Sequence, residues 1–130
     1  MPAVEDAPYP RLLGIREELR ERGRVIVAMD VDPGRHLNAM GVVHGGAIAS
    51  LVDSAAGRAI ASLLGGEARM ATIELKVNYL RPSSGGTLRA EGRVVHMGTR
   101  IAVAEVDVTQ DNSLLAKALA TYYIHPRGER

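Results

Sequence analysis

The sequence predicts an α+β domain in which an antiparallel sheet wraps around one long central helix. Three observations predict it. Residues Ala47 to Leu64 are almost wholly small and apolar. Segments rich in Val, Ile and Ala, partly in strict alternation, precede and follow that run. Short Gly-, Pro- and Asn-containing turns separate successive segments, which implies a meander. At 130 residues, without internal repeat or linker, the chain reads as one domain over 1–130.

The elements follow in order. Residues 1–9 read as a loose tail. Pro10 opens a short helix that Gly23 closes, with Leu12, Ile15 and Leu19 on one face. Arg24 to Val31 is a strand by its Val and Ile content, and Asp32 to Val43 is a loop, punctuated by Pro33, Gly34, Asn38 and Gly41. The helix Ala47 to Leu64 ends at Gly65-Gly66. Its polar residues Ser50, Asp53, Ser54, Arg58 and Ser62 make only a narrow stripe, so it should be largely buried. Then Ala71, Ile73, Leu75, Val77 and Tyr79 share one strand face, and Thr72, Glu74, Lys76 and Asn78 the other. Pro82 to Gly86 is a turn. Thr87 to Met97, Arg100 to Gln110 and Leu114 to His125 are three further strands.

Composition excludes several functions. There is no Cys, hence no disulfide framework, thiol nucleophile or thiolate metal site, which suits a cytoplasmic enzyme. Net charge is +1, so no strong field draws the chain to nucleic acid or acidic membranes. Phe and Trp are absent, which removes base-stacking platforms and leaves a core of aliphatics, Met and Tyr. No apolar run is long and charge-free enough to span a bilayer, and the N-terminus lacks the pattern of a signal peptide.

The residues that could carry chemistry sit where the loop becomes the long helix. Gly45 and Gly46 stand at a helix start, where backbone N–H groups are unpaired and the macrodipole is positive. Glycine there lets a ligand oxygen reach those donors, as a developing oxyanion requires. The alternative is a flexible helix start without a ligand. Asp53 lies inside the apolar helix with Ala49 and Ser50 before it and Ala56 and Gly57 after it, so no helical neighbour is basic. Its functional reading is a carboxylate that activates water or attacks a carbonyl itself. Gly45 and Asp53 are eight residues apart, or about 12 Å along one helix axis. Two antiparallel copies about a twofold axis would bring Gly45 of one to Asp53 of the other. No nucleophile elbow, Walker loop or dinucleotide fingerprint is present, and His36, His44, His96 and His125 have no metal-ligand spacing.

The run Asn38-Ala-Met-Gly-Val-Val-His44-Gly45-Gly46, followed by Leu51 and Asp53, resembles the N-x-x-G-x-x-H-G-G-x-x-x-x-L-x-D signature of hotdog-fold thioesterases of the phenylacetate-pathway (PaaI) type. The resemblance covers roughly Gly23 to His125. It implies a hotdog fold, dimers joined into tetramers, and hydrolysis of acyl-CoA without metal or other cofactor. By the same resemblance Asp53 matches the catalytic carboxylate and Gly45 the backbone donor to the thioester carbonyl. Asn38 matches an assisting amide, His44 a histidine beside the thioester, and Thr72 a hydroxyl that helps hold the water. Strict alternation puts Thr72 on the face away from the helix, so that role requires a bulge. Arg81 and Arg100, at loop ends, are candidates for the coenzyme A phosphates, or else solvated charges. The second enzyme reading is a hydroxyacyl dehydratase on the same fold, whose members usually carry a His-Phe-x-x-x-Pro run that His44-Gly45-Gly46 lacks. The alternative from another class is a non-catalytic acyl-CoA-binding protein or sensor; a transcriptional one would need a DNA-binding module, for which the residues before the first strand are too few.

Overall fold

The computed structural model describes residues 7–65 and 69–125. Residues 1–6 of the expected tail and Gly66 lie outside them. The elements are α1 (Pro8–Leu13), β1 (Ile15–Glu21), β2 (Arg24–Asp30), α2 (Gly45–Ala61), β3 (Arg69–Tyr79), β4 (Thr87–Met97), β5 (Ile101–Gln110) and β6 (Ser113–His125). The six strands form one antiparallel sheet in the order β1-β2-β4-β5-β6-β3, with α2 on its inner face.

Two expectations need correction. The helix expected over Pro10–Gly23 is helical only from Pro8 to Leu13, and Ile15–Glu21 is a strand. Gly14 ends the helix in the left-handed region, with φ 74°. Gly23, at φ 81°, then turns β1 back onto β2. Hairpin pairing outweighs the helical spacing of Leu12, Ile15 and Leu19, of which only Ile15 is fully buried. The simple meander holds only for β4, β5 and β6. β3 crosses to the far edge beside β6, and β2 takes the place next to β4. The turn at Asp111-Asn112 uses positive φ at both residues, as a tight hairpin between twisted strands requires.

The core is the contact between α2 and the sheet. Leu51, Val52, Ala55, Ala56, Ala59 and Ile60 have no exposed surface. Facing them are mainly small or branched aliphatics, among them Val25, Val27, Ala90, Ala104, Val106 and Ala120. Without Phe or Trp the volume is filled by backbone approaching backbone. Gly92 on β4 marks the closest point. A Cβ there would lie 2.6 Å from the Ala55 carbonyl oxygen, a rigid atom of the helix backbone. Gly92→Ala should therefore destabilise the fold by about 1–3 kcal/mol, read as a lowered urea midpoint at unchanged slope. A variant as stable as wild type would show that helix and sheet can part freely.

Candidate active site

The loop before α2 is built on a buried histidine. The His36 Nδ1 accepts the Asp32 N–H (2.9 Å), so its Nε2 carries the proton and donates to the Leu13 carbonyl (2.9 Å). Asn38 closes a tight turn: its Oδ1 accepts the N–H groups of Met40 (2.9 Å) and Val42 (3.2 Å). The amide oxygen is thus used inside the loop, and the NH2 is the end left to donate outward. The chain enters α2 through His44, whose N–H bonds the His36 carbonyl (2.7 Å).

His44 is the N-cap. Its Nδ1 accepts the Gly46 N–H (2.8 Å), and its carbonyl accepts from Ala47 and Ile48. Gly46 makes this cap possible, since a Cβ there would lie 3.0 Å from that ring nitrogen. The cap leaves one donor over. Among the described residues no hydrogen bond uses the Gly45 N–H. The Tyr79 ring lies against Gly45, and its hydroxyl donates to the Gly45 carbonyl (2.7 Å). Burial pushes the Tyr79 phenol up, which keeps it a donor. A cavity of about 340 Å³ opens here, lined by Val42, Gly45, Ile48, Tyr79, Leu80 and Arg81.

Asp53 lies two turns further along α2, half-buried. The strand beside it carries the bulge that Thr72 required. Thr72 pairs with Tyr122 and Glu74 with Thr121, so Ile73 is the extra residue and is turned outward, 55% exposed. Alternation therefore changes phase. Met70 and Thr72 face the helix before the bulge, and Leu75, Val77 and Tyr79 face it afterwards. The expectation that Thr72 shares a face with Glu74 and Lys76 is corrected accordingly. Thr72 Oγ1 donates to Asp53 Oδ1 (2.9 Å), and the Tyr122 hydroxyl is shared between that oxygen and the Asp53 carbonyl. Hydroxyls rather than a cation hold the carboxylate. Both reach Oδ1, and among the described residues no hydrogen bond uses Oδ2. Asp53 lines a second cavity of about 310 Å³ with Tyr9, Ala49, Ser50, Ser54 and Leu75.

The sequence-derived residues thus fall into two groups. Asn38, His44, Gly45 and Arg81 gather at the start of α2, and Asp53 and Thr72 near its middle. The two cavities share no lining residue. Arg100 belongs to neither; it follows the β4–β5 turn and donates to the Tyr123 hydroxyl (2.8 Å). Sequence reasoning missed Tyr79 and Tyr122. Their signal was parity: Tyr122 is in register with the inward Ala116, Ala118 and Ala120 of β6, and Tyr79 with the inward Leu75 and Val77 of β3. Among the described residues no helix is long and apolar enough to cross a membrane, and no three His, Asp or Glu side chains are grouped to hold a metal.

Comparison with known proteins places the chain in a family. The model of the thioesterase superfamily matches residues 40–117. The medium/long-chain acyl-CoA thioesterase YigI of Salmonella typhimurium is 34% identical over 136 residues, covering 93% of this chain and 88% of that protein. The structure of the conserved protein PA5202 from Pseudomonas aeruginosa superposes with a TM-score of 0.89 at 33% identity, covering 94% of this chain and 97% of that one. The PaaI protein of the Escherichia coli phenylacetic acid degradation operon has a TM-score of 0.86 at 26% identity, covering 95% and 88%.

The pairing of Tyr122 with Asp53 has a consequence in alkali. Burial, and then the carboxylate charge, raise the phenol above its ordinary value of 10.0, so the folded protein keeps a proton that the unfolded chain releases. The stability this supplies is complete below pH 10 and declines above it by about 1.4 kcal/mol per pH unit. Urea unfolding of wild type and Tyr122→Phe from pH 8 to 11 should show wild type the more stable at pH 8 and the gap narrowing above pH 10. A gap that stays constant would mean the phenol is not held protonated.

Proposed function

Because the chain belongs to the thioesterase superfamily, with the hotdog fold of its PaaI-type members, we propose that it is a cytoplasmic, metal-independent acyl-CoA thioesterase whose active site is shared between two copies of the chain. The observation that carries this reading is the pair of unused groups: the Gly45 N–H in one cavity and Asp53 Oδ2 in the other. An oxyanion donor and a carboxylate must meet around one carbonyl, each within about 3 Å of its target. Along one α2 the two residues stand about 12 Å apart.

The sheet offers a way to join them. β3 is an edge strand of 11 residues whose outer side has no partner among the described residues. Tyr79, near one end, touches Gly45, and Thr72, near the other, touches Asp53. Antiparallel pairing of β3 with a second β3, centred near Leu75 and Lys76, interchanges these ends. Gly45 of one protomer then lies toward Asp53 of its partner, twice over. The exposed outward side chains Ile73, Leu119 and Ile101 offer apolar surface for joining two dimers into a tetramer.

In the shared site the thioester oxygen accepts from the Gly45 N–H, assisted by the Asn38 NH2. His44, by taking up the Gly46 N–H, is a positioning residue that leaves the Gly45 donor open. Asp53 of the partner either removes a proton from the attacking water or attacks the carbonyl itself. Thr72 and Tyr122 fix its Oδ1 and so aim Oδ2. The tetrahedral intermediate collapses with cleavage of the carbon–sulfur bond, and the thiolate of coenzyme A leaves and is protonated; where Asp53 has attacked directly, water then hydrolyses the acyl–Asp53 anhydride, releasing the acid and restoring the carboxylate. Arg81 beside Gly45 is placed to meet the phosphates of coenzyme A, with Arg100 as a more distant candidate. The acyl group is aryl or medium-chain, and the chain-length specificity in the name of the Salmonella relative supports the latter.

Asp53→Asn should keep fold and assembly and lower thiol release from the best acyl-CoA by a factor on the order of 100 or more. Wild-type turnover in that variant would sink the assignment.

Mixing Asn38→Ala with Asp53→Asn under subunit exchange should restore activity. Each mixed dimer holds one site with both lesions and one with neither, so activity should rise above either parent toward half of wild type. If native mass spectrometry shows mixed dimers and no activity returns, the site is not shared.

A further inference from the structure

We propose that Tyr9 is a specificity-determining residue, whose ring closes the acyl-group cavity beside Asp53 and limits the length of chain the enzyme accepts. This rests on the thioesterase reading above. The cavity is lined from three elements: four residues of α2, Leu75 of β3, and Tyr9 with Pro10 of α1. α2 and β3 are fixed by the core. α1 is held less firmly: none of its residues is fully buried, and only Leu13 at its end packs against the core. Polar bonds supply much of the rest of its attachment.

Those bonds are specific. At the C-terminal end of α1, Arg35 Nη1 donates to the Leu12 carbonyl (2.8 Å) and His36 Nε2 to the Leu13 carbonyl (2.9 Å). Arg35 is itself held by Asp32 Oδ2 (2.8 Å). Toward the other end, Tyr9 Oη meets Ser50 Oγ (2.9 Å). The direction of that bond follows from proton counting. Ser50 has one hydroxyl proton and gives it to the Gly46 carbonyl (2.8 Å), so Tyr9 donates. The phenol proton is thereby committed to α2, one turn before Asp53, and the ring is fixed at the cavity wall. Tyr9 remains 58% exposed, apolar surface at the wall of a cavity that the core leaves unfilled.

The chemistry requires such a wall. With the carbonyl pinned between the partner's helix start and Asp53, the acyl chain extends into the cavity that Asp53 lines. At about 310 Å³ this space is at the small end for a ligand pocket, so one aromatic side chain in its wall decides how many methylenes fit. Each methylene that gains burial is worth about fourfold in affinity.

The test compares full-length wild type, Tyr9→Ala and Tyr9→Trp on saturated acyl-CoAs from four to sixteen carbons, reading kcat/KM for each. Affinities for thioether analogues of the same lengths, which cannot be hydrolysed, give the same profile without turnover. Tyr9→Ala should move the optimum to longer chains and raise the long-to-short ratio by on the order of tenfold. Tyr9→Trp should move it to shorter chains. Opposite shifts are not produced by general loss of stability. Profiles that keep the wild-type shape in both variants, whatever their height, overturn the assignment of Tyr9. Wild type that binds the analogues with length dependence but releases no thiol overturns the hydrolase reading while leaving the role of Tyr9 to be judged by the binding profiles. Wild type that binds none of them overturns both.

Discussion

Everything in this molecule depends on how closely the sheet can lie against the backbone of α2. A core without Phe or Trp cannot fill a wide gap, so the gap has to be narrow. Ala90, Gly92, Ala104 and Ala120 line the sheet where Ala55, Ala56 and Ala59 line the helix, and Gly92 brings β4 to the helix backbone itself. That depth decides the site. Because the strands come so near, short side chains from the sheet, such as the Thr72 hydroxyl, can reach a helix carboxylate directly. A core built on large aromatics would hold the same two groups further apart.

The half-buried Asp53 carboxyl needs hydrogen-bond partners, and the structure supplies neutral ones. Two hydroxyls donate to Oδ1 alone, where an arginine would engage both oxygens in a forked ion pair. The remaining oxygen stays available because both donors approach from the sheet side. At the helix start the same economy holds. His44 satisfies one of the orphan N–H groups of the first turn with its own side chain, which leaves the donor next to it open.

The parts of this arrangement that were legible in the sequence are those where a residue breaks a local rule. Asp53 stands out in an alanine-rich helix, and Gly45-Gly46 stands out at a helix start. Strand β4 has the bounds Thr87–Met97 in both readings, because turn residues flank it on either side. α2 begins at Gly45 instead of Ala47 because a cap from outside the helix carries it back by two residues. β1 was hidden, since a charged segment with Leu at helical spacing becomes a strand only through pairing with β2. The bulge at Ile73 was hidden for a related reason: a phase change in alternation is set by the strand alongside. Which strand flanks β3 is likewise decided by crossing connections that no turn motif encodes.

The two borders of the sheet are unequal, and this bears on what the molecule can become in a crowded cell. β1 reads Ile-Arg-Glu-Glu-Leu-Arg-Glu, with a register break between Glu17 and Leu19 and ion pairs from Glu18 to Arg89 and from Arg16 to Asp30. Such a border resists a further strand, because an approaching chain would have to displace bound charges and match a broken ladder. β3 carries a bulge too, at Ile73, but beyond it the ladder runs unbroken from Glu74 to Tyr79. Under the proposed pairing of β3 with a second β3, the refractory β1 border leaves no further edge to add to, so strand addition ends at a pair and does not propagate into a fibre.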